Sequence, residues 1–101
     1  MAEFAIMKAE LLIRERVVYP DGSLVQMVVW RVPRPVPPTG HGFKYSLVYI
    51  VGGDRVLGYD NERGKGDHRH ADGGEEPFLF RSIDDLVERF VSEVEAMRGL
   101  R

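Results

Sequence analysis

Between Gly58 and His70 the chain reads Gly-Tyr-Asp-Asn-Glu-Arg-Gly-Lys-Gly-Asp-His-Arg-His, and two of its three histidines fall there. On a strand, His68 and His70 point to one side with Arg69 opposite, whereas on a helix they would diverge by about 200°. Gly64 and Gly66 oppose a helix just before them, so a shared face is expected. Two neighbouring imidazoles can act as general base and general acid in one reaction. Lys65, Arg63 or Arg69 could stabilise a developing negative charge, and the backbone N–H groups of Gly64 and Gly66 could approach a phosphate closely. Asp67 or Asp60 could orient an imidazole.

This set suits RNA cleavage without a metal. One histidine takes the proton of a 2′-hydroxyl, the other protonates the leaving oxygen, and the cations hold the phosphorane. The expected catalytic residues are therefore His68, His70, Lys65 and Asp67. Arg69, Arg63, Asn61, Asp60, Tyr59 and Lys44 are the expected substrate contacts. Asp60, Glu62 and Asp67 offset Arg63, Lys65 and Arg69, so the segment is formally neutral until a histidine takes up a proton.

Spacing alone leaves other readings open. A segment rich in Asp, Asn, Gly and Arg is also what a solvated turn stitched by surface ion pairs looks like. His68 and His70 with His41 or Asp67 could ligate zinc, but no second cluster of strong ligands is visible, so neither metal nor cofactor is expected. A sheet that engages a partner through an apolar face, with the segment serving recognition only, is the non-catalytic alternative. Trp30, Tyr45, Tyr49 and Tyr59 could stack on bases, although aromatics at strand spacing usually belong to a core. His41, between two glycines, is expected to face solvent.

The scaffold for these residues is small. A chain of 101 residues with 44% hydrophobic and 30% charged residues is expected to form one globular domain. It has no cysteine, which excludes disulfide frameworks and thiol catalysis and fits a cytoplasmic location. No apolar run approaches the roughly 20 residues of a membrane helix. A net charge of −2 argues against a protein that coats nucleic acid non-specifically.

Residues 1–7 show no period and read as a frayed start or an added leader. Alternation from Lys8 to Tyr19 predicts a strand with a bulge near Glu15, and Pro20-Asp21-Gly22-Ser23 supplies a hairpin turn. The return strand Leu24 to Val32 is apolar on both faces, as a doubly covered strand or one lending a face to a partner would be. Residues 33–42, with four prolines, cannot extend a ladder and read as a connector ending in a flexible Gly-His-Gly. Phe43 to Val51 is the third strand, Gly52-Gly53-Asp54 a second hairpin turn, and Arg55 to Asp60 the fourth strand, with Gly58 marking a bulge or a close backbone approach. Gly58 to His70 then reads as one long excursion at the sheet edge, followed by a turn and a short extended Pro77–Phe80. Ser82 with Asp85 forms a capping box, and Ile83, Leu86, Val87, Phe90, Val91, Val94 and Met97 trace one helical face, with Glu93 among the residues of the wet side. Gly99 is the expected stop, with Arg98 and Arg101 favourable to the helix dipole. The expected fold is α+β: an antiparallel sheet of two hairpins, about four to five strands, with one C-terminal helix on one face. Its second face would be left for a partner or for a second copy in a homodimer.

The segments Ala9-Glu10-Leu11-Leu12, Arg16-Val17-Val18, Pro20-Asp21-Gly22, Trp30-Arg31 with the proline connector, Phe43-Lys44-Tyr45 and, most specifically, Gly58 to His70 resemble the TumE family of toxins from bacterial and archaeal toxin–antitoxin pairs. The similarity spans about Lys8 to Met97 and includes the Gly73-Gly74-Glu75-Glu76-Pro77 turn. The resemblance implies a toxin partnered by a cognate antitoxin, expected to be a helix-turn-helix protein. It assigns no catalytic residues.

Overall fold

A computed structural model of the chain describes residues 8–99. Six antiparallel strands follow one another in a meander: β1 (Glu10–Val18), β2 (Leu24–Arg31), β3 (Phe43–Val51), β4 (Asp54–Glu62), β5 (Gly66–Ala71) and β6 (Gly74–Pro77). One helix, α1 (Ile83–Met97), closes the order. The α+β arrangement with a single C-terminal helix on one face is as expected, but the sheet has six strands rather than four or five. The difference lies in the Gly58–His70 segment, which is a third hairpin rather than an edge excursion. β4 runs on to Glu62, a tight turn spans 63–65, and β5 returns. Gly64 and Gly66 adopt φ of 88° and 81°, the left-handed region that this turn needs and that glycine enters without steric penalty.

Strand alternation gives the sheet two distinct faces. Val25, Val29, Tyr45, Leu47, Tyr49, Leu57 and Tyr59 lie on one, where Leu86, Phe90 and Val94 of α1 meet them to form the core. Each of these three helical side chains is essentially buried and contributes about 1.5–3 kcal/mol relative to exposure. The Ser82 hydroxyl caps α1 by accepting from the Asp85 N–H at 3.0 Å. Gly99, at φ 75°, ends it, its N–H donating to the Ala96 carbonyl. Of the predicted helical face, Val91 and Met97 are exposed, because one helix is too narrow to cover six strands. No helix among the described residues is long and apolar enough to cross a membrane. The predicted frayed start at 1–7, and Arg101, lie outside the described residues.

Local corrections have physical reasons. The β1 bulge falls between Leu11 and Ile13, not near Glu15, and in β4 the register shifts between Arg55 and Leu57, at Val56, rather than at Gly58. Nor does backbone approach Gly58 closely: a Cβ there would stand 3.1 Å from the Arg55 side chain but 3.6 Å, an ordinary contact, from the Leu47 carbonyl. Pro77 ends β6, and Phe78 and Phe80 leave the sheet to pack against the core.

The proline connector does not end in a free Gly-His-Gly. It folds back on the β4–β5 turn, where the Pro37 carbonyl accepts from the Gly64 N–H at 2.8 Å. That bond removes Gly64 from the expected phosphate donors. Thr39 is buried, and His41 stacks on Phe80 with ring centroids 3.8 Å apart.

Candidate active site

The pairing of β4 with β5 decides which residues of the central segment meet. Asp60 stands opposite His68 and Gly58 opposite His70, while Tyr59 opposes Arg69 and Asn61 opposes Asp67. Alternation sends the first set to the face away from α1 and the second set toward it. The ten expected site residues are therefore divided. His68, His70, Asp60 and Lys65 gather on the open face, and Lys44 lies on that face two residues from Ser46, the partner of Asp60. Asp67, Arg69, Asn61 and Tyr59 belong to the other side. Arg63 is an exposed turn residue.

On the open face His70 sits between two carboxylates. Its Nε2 lies 3.0 Å from Asp60 and its Nδ1 3.3 Å from Glu75. Only the doubly protonated ring can donate to both at once. Glu75, opposite His70 on β6, also accepts from Lys65 Nζ at 3.2 Å, which holds its carboxyl below the usual range and raises the ammonium. His68 is engaged differently, its Nδ1–H donating to the Gly66 carbonyl at 3.2 Å. A carbonyl only accepts, so this bond places the proton on Nδ1 and leaves the lone pair on Nε2. The two imidazoles thus stand one alternation apart in different surroundings, His70 between two carboxylates and His68 with its Nδ1 on a backbone carbonyl and its Nε2 open as an acceptor.

On the helix side the expected site residues are tied into the fold. Asp67 accepts from Tyr45 Oη at 2.6 Å and from His41 Nε2 at 2.8 Å. The other ring nitrogen of His41 accepts from the Phe43 N–H at 3.2 Å, so neither nitrogen is left for chemistry. Burial, reinforced by the bond to Asp67, pushes the Tyr45 hydroxyl well above the usual phenol range. Asn61 is wholly buried and serves the backbone: it accepts from the Tyr45 N–H at 3.0 Å and donates to the Phe43 carbonyl at 2.7 Å. Arg69 and Tyr59 converge on Glu93 of α1, with Arg69 Nε 3.1 Å from the carboxylate. Glu93 thus points inward from what the helical pattern marks as its wet side.

This division also separates the residues of the zinc reading. His41 is on the face opposite His68 and His70, and no group of three His, Cys, Asp or Glu among the described residues could hold a metal ion. A cavity of about 610 Å³ opens beside His41, lined by Phe43, Asp67, Phe80, Arg81 and Asp84 among others. Its imidazole and carboxylate are already satisfied by each other. The residues that sequence reasoning missed are Glu75, read only as part of a turn, and the structural partners His41 and Glu93. Glu75 had a signal, since it stands five residues after His70 across a Gly-Gly turn, the spacing of a short hairpin.

No curated protein and no solved structure matches the chain. A family model described as Toxin TumE matches residues 4–98, nearly the whole sequence, a span that includes all six strands and α1 of this chain. The chain belongs to the TumE toxin family.

Proposed function

We propose that this toxin acts on RNA by acid–base cleavage on the open face of β5, with His68 as base and His70 as acid. The observation that carries this is the opposite engagement of the two rings: His68 Nδ1 on the Gly66 carbonyl, and His70 between Asp60 and Glu75. His68 Nε2 takes the proton of a 2′-hydroxyl, the 2′-oxygen attacks the adjacent phosphorus, and the P–O5′ bond breaks. His70 gives a proton to the departing 5′-oxygen. The products are a 2′,3′-cyclic phosphate and a 5′-hydroxyl. Asp60 holds Nε2 of His70 throughout, at 3.0 Å. Glu75, exposed on a short edge strand and bound to Lys65, yields Nδ1 to the substrate. Lys65 and Lys44 stabilise the phosphorane charge. Membership of a toxin family supports a cognate antitoxin as the partner that holds this activity in check.

The test is cleavage of single-stranded RNA by the purified full chain in the presence of EDTA, with product ends identified by mass. His68→Ala and His70→Gln should each lower the rate by about 10²–10⁴-fold while leaving the thermal midpoint of His68→Ala unchanged. A substrate lacking the 2′-hydroxyl at the cut site should be inert. Full activity in both histidine variants overturns the assignment. Inert wild-type protein on every RNA offered favours the non-catalytic binding reading instead.

A further inference from the structure

The face that carries His68 and His70 has no helix over it among the described residues, and the strand register shows what lies along it. One row across the sheet runs Arg14, Val28, Ser46, Asp60, His68, and the next runs Arg16, Gln26, Val48, Gly58, His70. Trp30 and Lys44 oppose each other in the row beyond Val28 and Ser46. The strands contain six cations: Arg14, Arg16, Arg31, Lys44, Arg55 and Arg69. Arg31 and Arg69, on the helix side, are paired with Glu10 and with Glu93 and Glu76. The four on the open face, Arg14, Arg16, Lys44 and Arg55, form no ion pair among the described residues. Of the three strand carboxylates of that face, Asp60 and Glu75 are already engaged by His70 and Lys65, and Glu62 stands at the β4–β5 turn opposite Gly66. A chain of net charge −2 therefore presents its unneutralised strand cations on one side, around a low apolar strip.

We propose that this open face is a track for single-stranded RNA, crossing the strands from the histidine pair on β5 to Arg14 and Arg16 on β1. The ligand class rests on the cleavage reading above, and the placement rests on the register and on the unpaired charge. Four interstrand steps of about 4.8 Å set the two arginines roughly 19 Å from the histidines, a span of a few nucleotides. Arg14 and Arg16 meet phosphates remote from the scissile bond, Trp30 offers a ring on which a base can stack, and the strip of Val28, Val48 and Gly58 leaves the sugar–base side a flat floor.

The probe is a short oligoribonucleotide carrying 2′-O-methyl groups throughout, which cannot be cleaved by 2′-oxygen attack. Its binding to the full chain is followed by anisotropy and by quenching of Trp30, the chain's single tryptophan. Arg14→Glu/Arg16→Glu should weaken binding by tenfold or more and flatten the salt dependence of log Kd by about 1.4, the share of two single-strand phosphate contacts. Arg31→Glu/Arg89→Glu, the same charge change on the helix side, where Arg89 of α1 lies over the Phe78 ring, should leave both within about twofold. Arg14→Gln/Arg16→Gln, checked by urea denaturation, separates lost contacts from a frayed β1. Equal losses from the two reversal pairs, or none from the open-face pair, overturn the proposal. So does a concentration-dependent dimer that buries Trp30, because a second copy then occupies the face. Binding that depends on Arg14 and Arg16 in a protein that cuts no RNA supports the track and sinks the cleavage reading alone. Undiminished kcat/KM in Arg14→Glu/Arg16→Glu sinks the track alone.

Discussion

Asp67 and His68 are neighbours in the chain, yet they leave β5 on opposite faces of the sheet. Asp67 accepts hydrogen bonds from Tyr45 and His41 beneath the proline connector, and His68 bonds the Gly66 carbonyl on the side away from α1. The pair thus separates stability from chemistry at adjacent positions. Asp67→Ala leaves the buried Tyr45 hydroxyl and the His41 ring without their acceptor, a loss of about 2–4 kcal/mol. The urea midpoint should fall accordingly, while the cleavage rate of the molecules still folded stays near wild type. His68→Ala should show the reverse pattern. A fully stable but inactive Asp67→Ala would place that carboxylate in the reaction after all.

Asn61 continues the sheet with its side chain. The β3–β4 pairing ends at Ser46 and Asp60, and beyond it the Asn61 carboxamide takes over both backbone groups that would otherwise be stranded, the Tyr45 N–H and the Phe43 carbonyl. Asn61→Ala should cost about 2–4 kcal/mol by orphaning one donor and one acceptor in the interior. Asn61→Asp keeps the acceptor, loses the donor and buries a charge, so it should be no better. Amide hydrogen exchange at Tyr45 should accelerate in both variants, and a protected Tyr45 amide in Asn61→Ala would contradict this account.

The parts of the fold that can be read from the sequence are those where one face is apolar and the period is kept. Phe43 to Val51 alternates without a break, and Leu86, Phe90 and Val94 recur at helical spacing behind a capping serine. β5 and β6 carry no such signal, because both of their faces are polar. Their register is reported by charge pairs instead, with His70 opposite Glu75 and Arg69 opposite Glu76. The shared side of His68 and His70 follows from strand geometry alone, and the separation of Asp67 and Arg69 from them follows from the same alternation once β5 is recognised as a strand. The contact of His41 with Asp67 bridges 26 positions and depends on the connector folding back on the β4–β5 turn, which no local pattern encodes.

Glu93 and Tyr59 give the fold an acid limb and an alkaline limb of opposite sign. Burial alone would push the Glu93 carboxyl up, but bonds from Arg69 and Tyr59 outweigh it and hold the group below its ordinary 4.5. A lowered folded pKa means that its contribution is complete above the ordinary value and fades as pH falls through and below it. Burial, followed by the bond to Glu93, pushes Tyr59 from 10.0 up to about 12. A raised folded pKa means a contribution complete below 10.0 and lost as pH rises toward about 12. Glu93→Gln removes the charge that both partners address and should lower stability at neutral pH by about 1–2 kcal/mol, since Arg69 and Glu93 remain about a quarter exposed. It should also flatten the acid decline of the urea midpoint. Tyr59→Phe should leave the acid decline largely in place and remove one late step from the tyrosinate absorbance titration. An acid limb as steep in Glu93→Gln as in the wild type would show that other carboxylates govern acid stability.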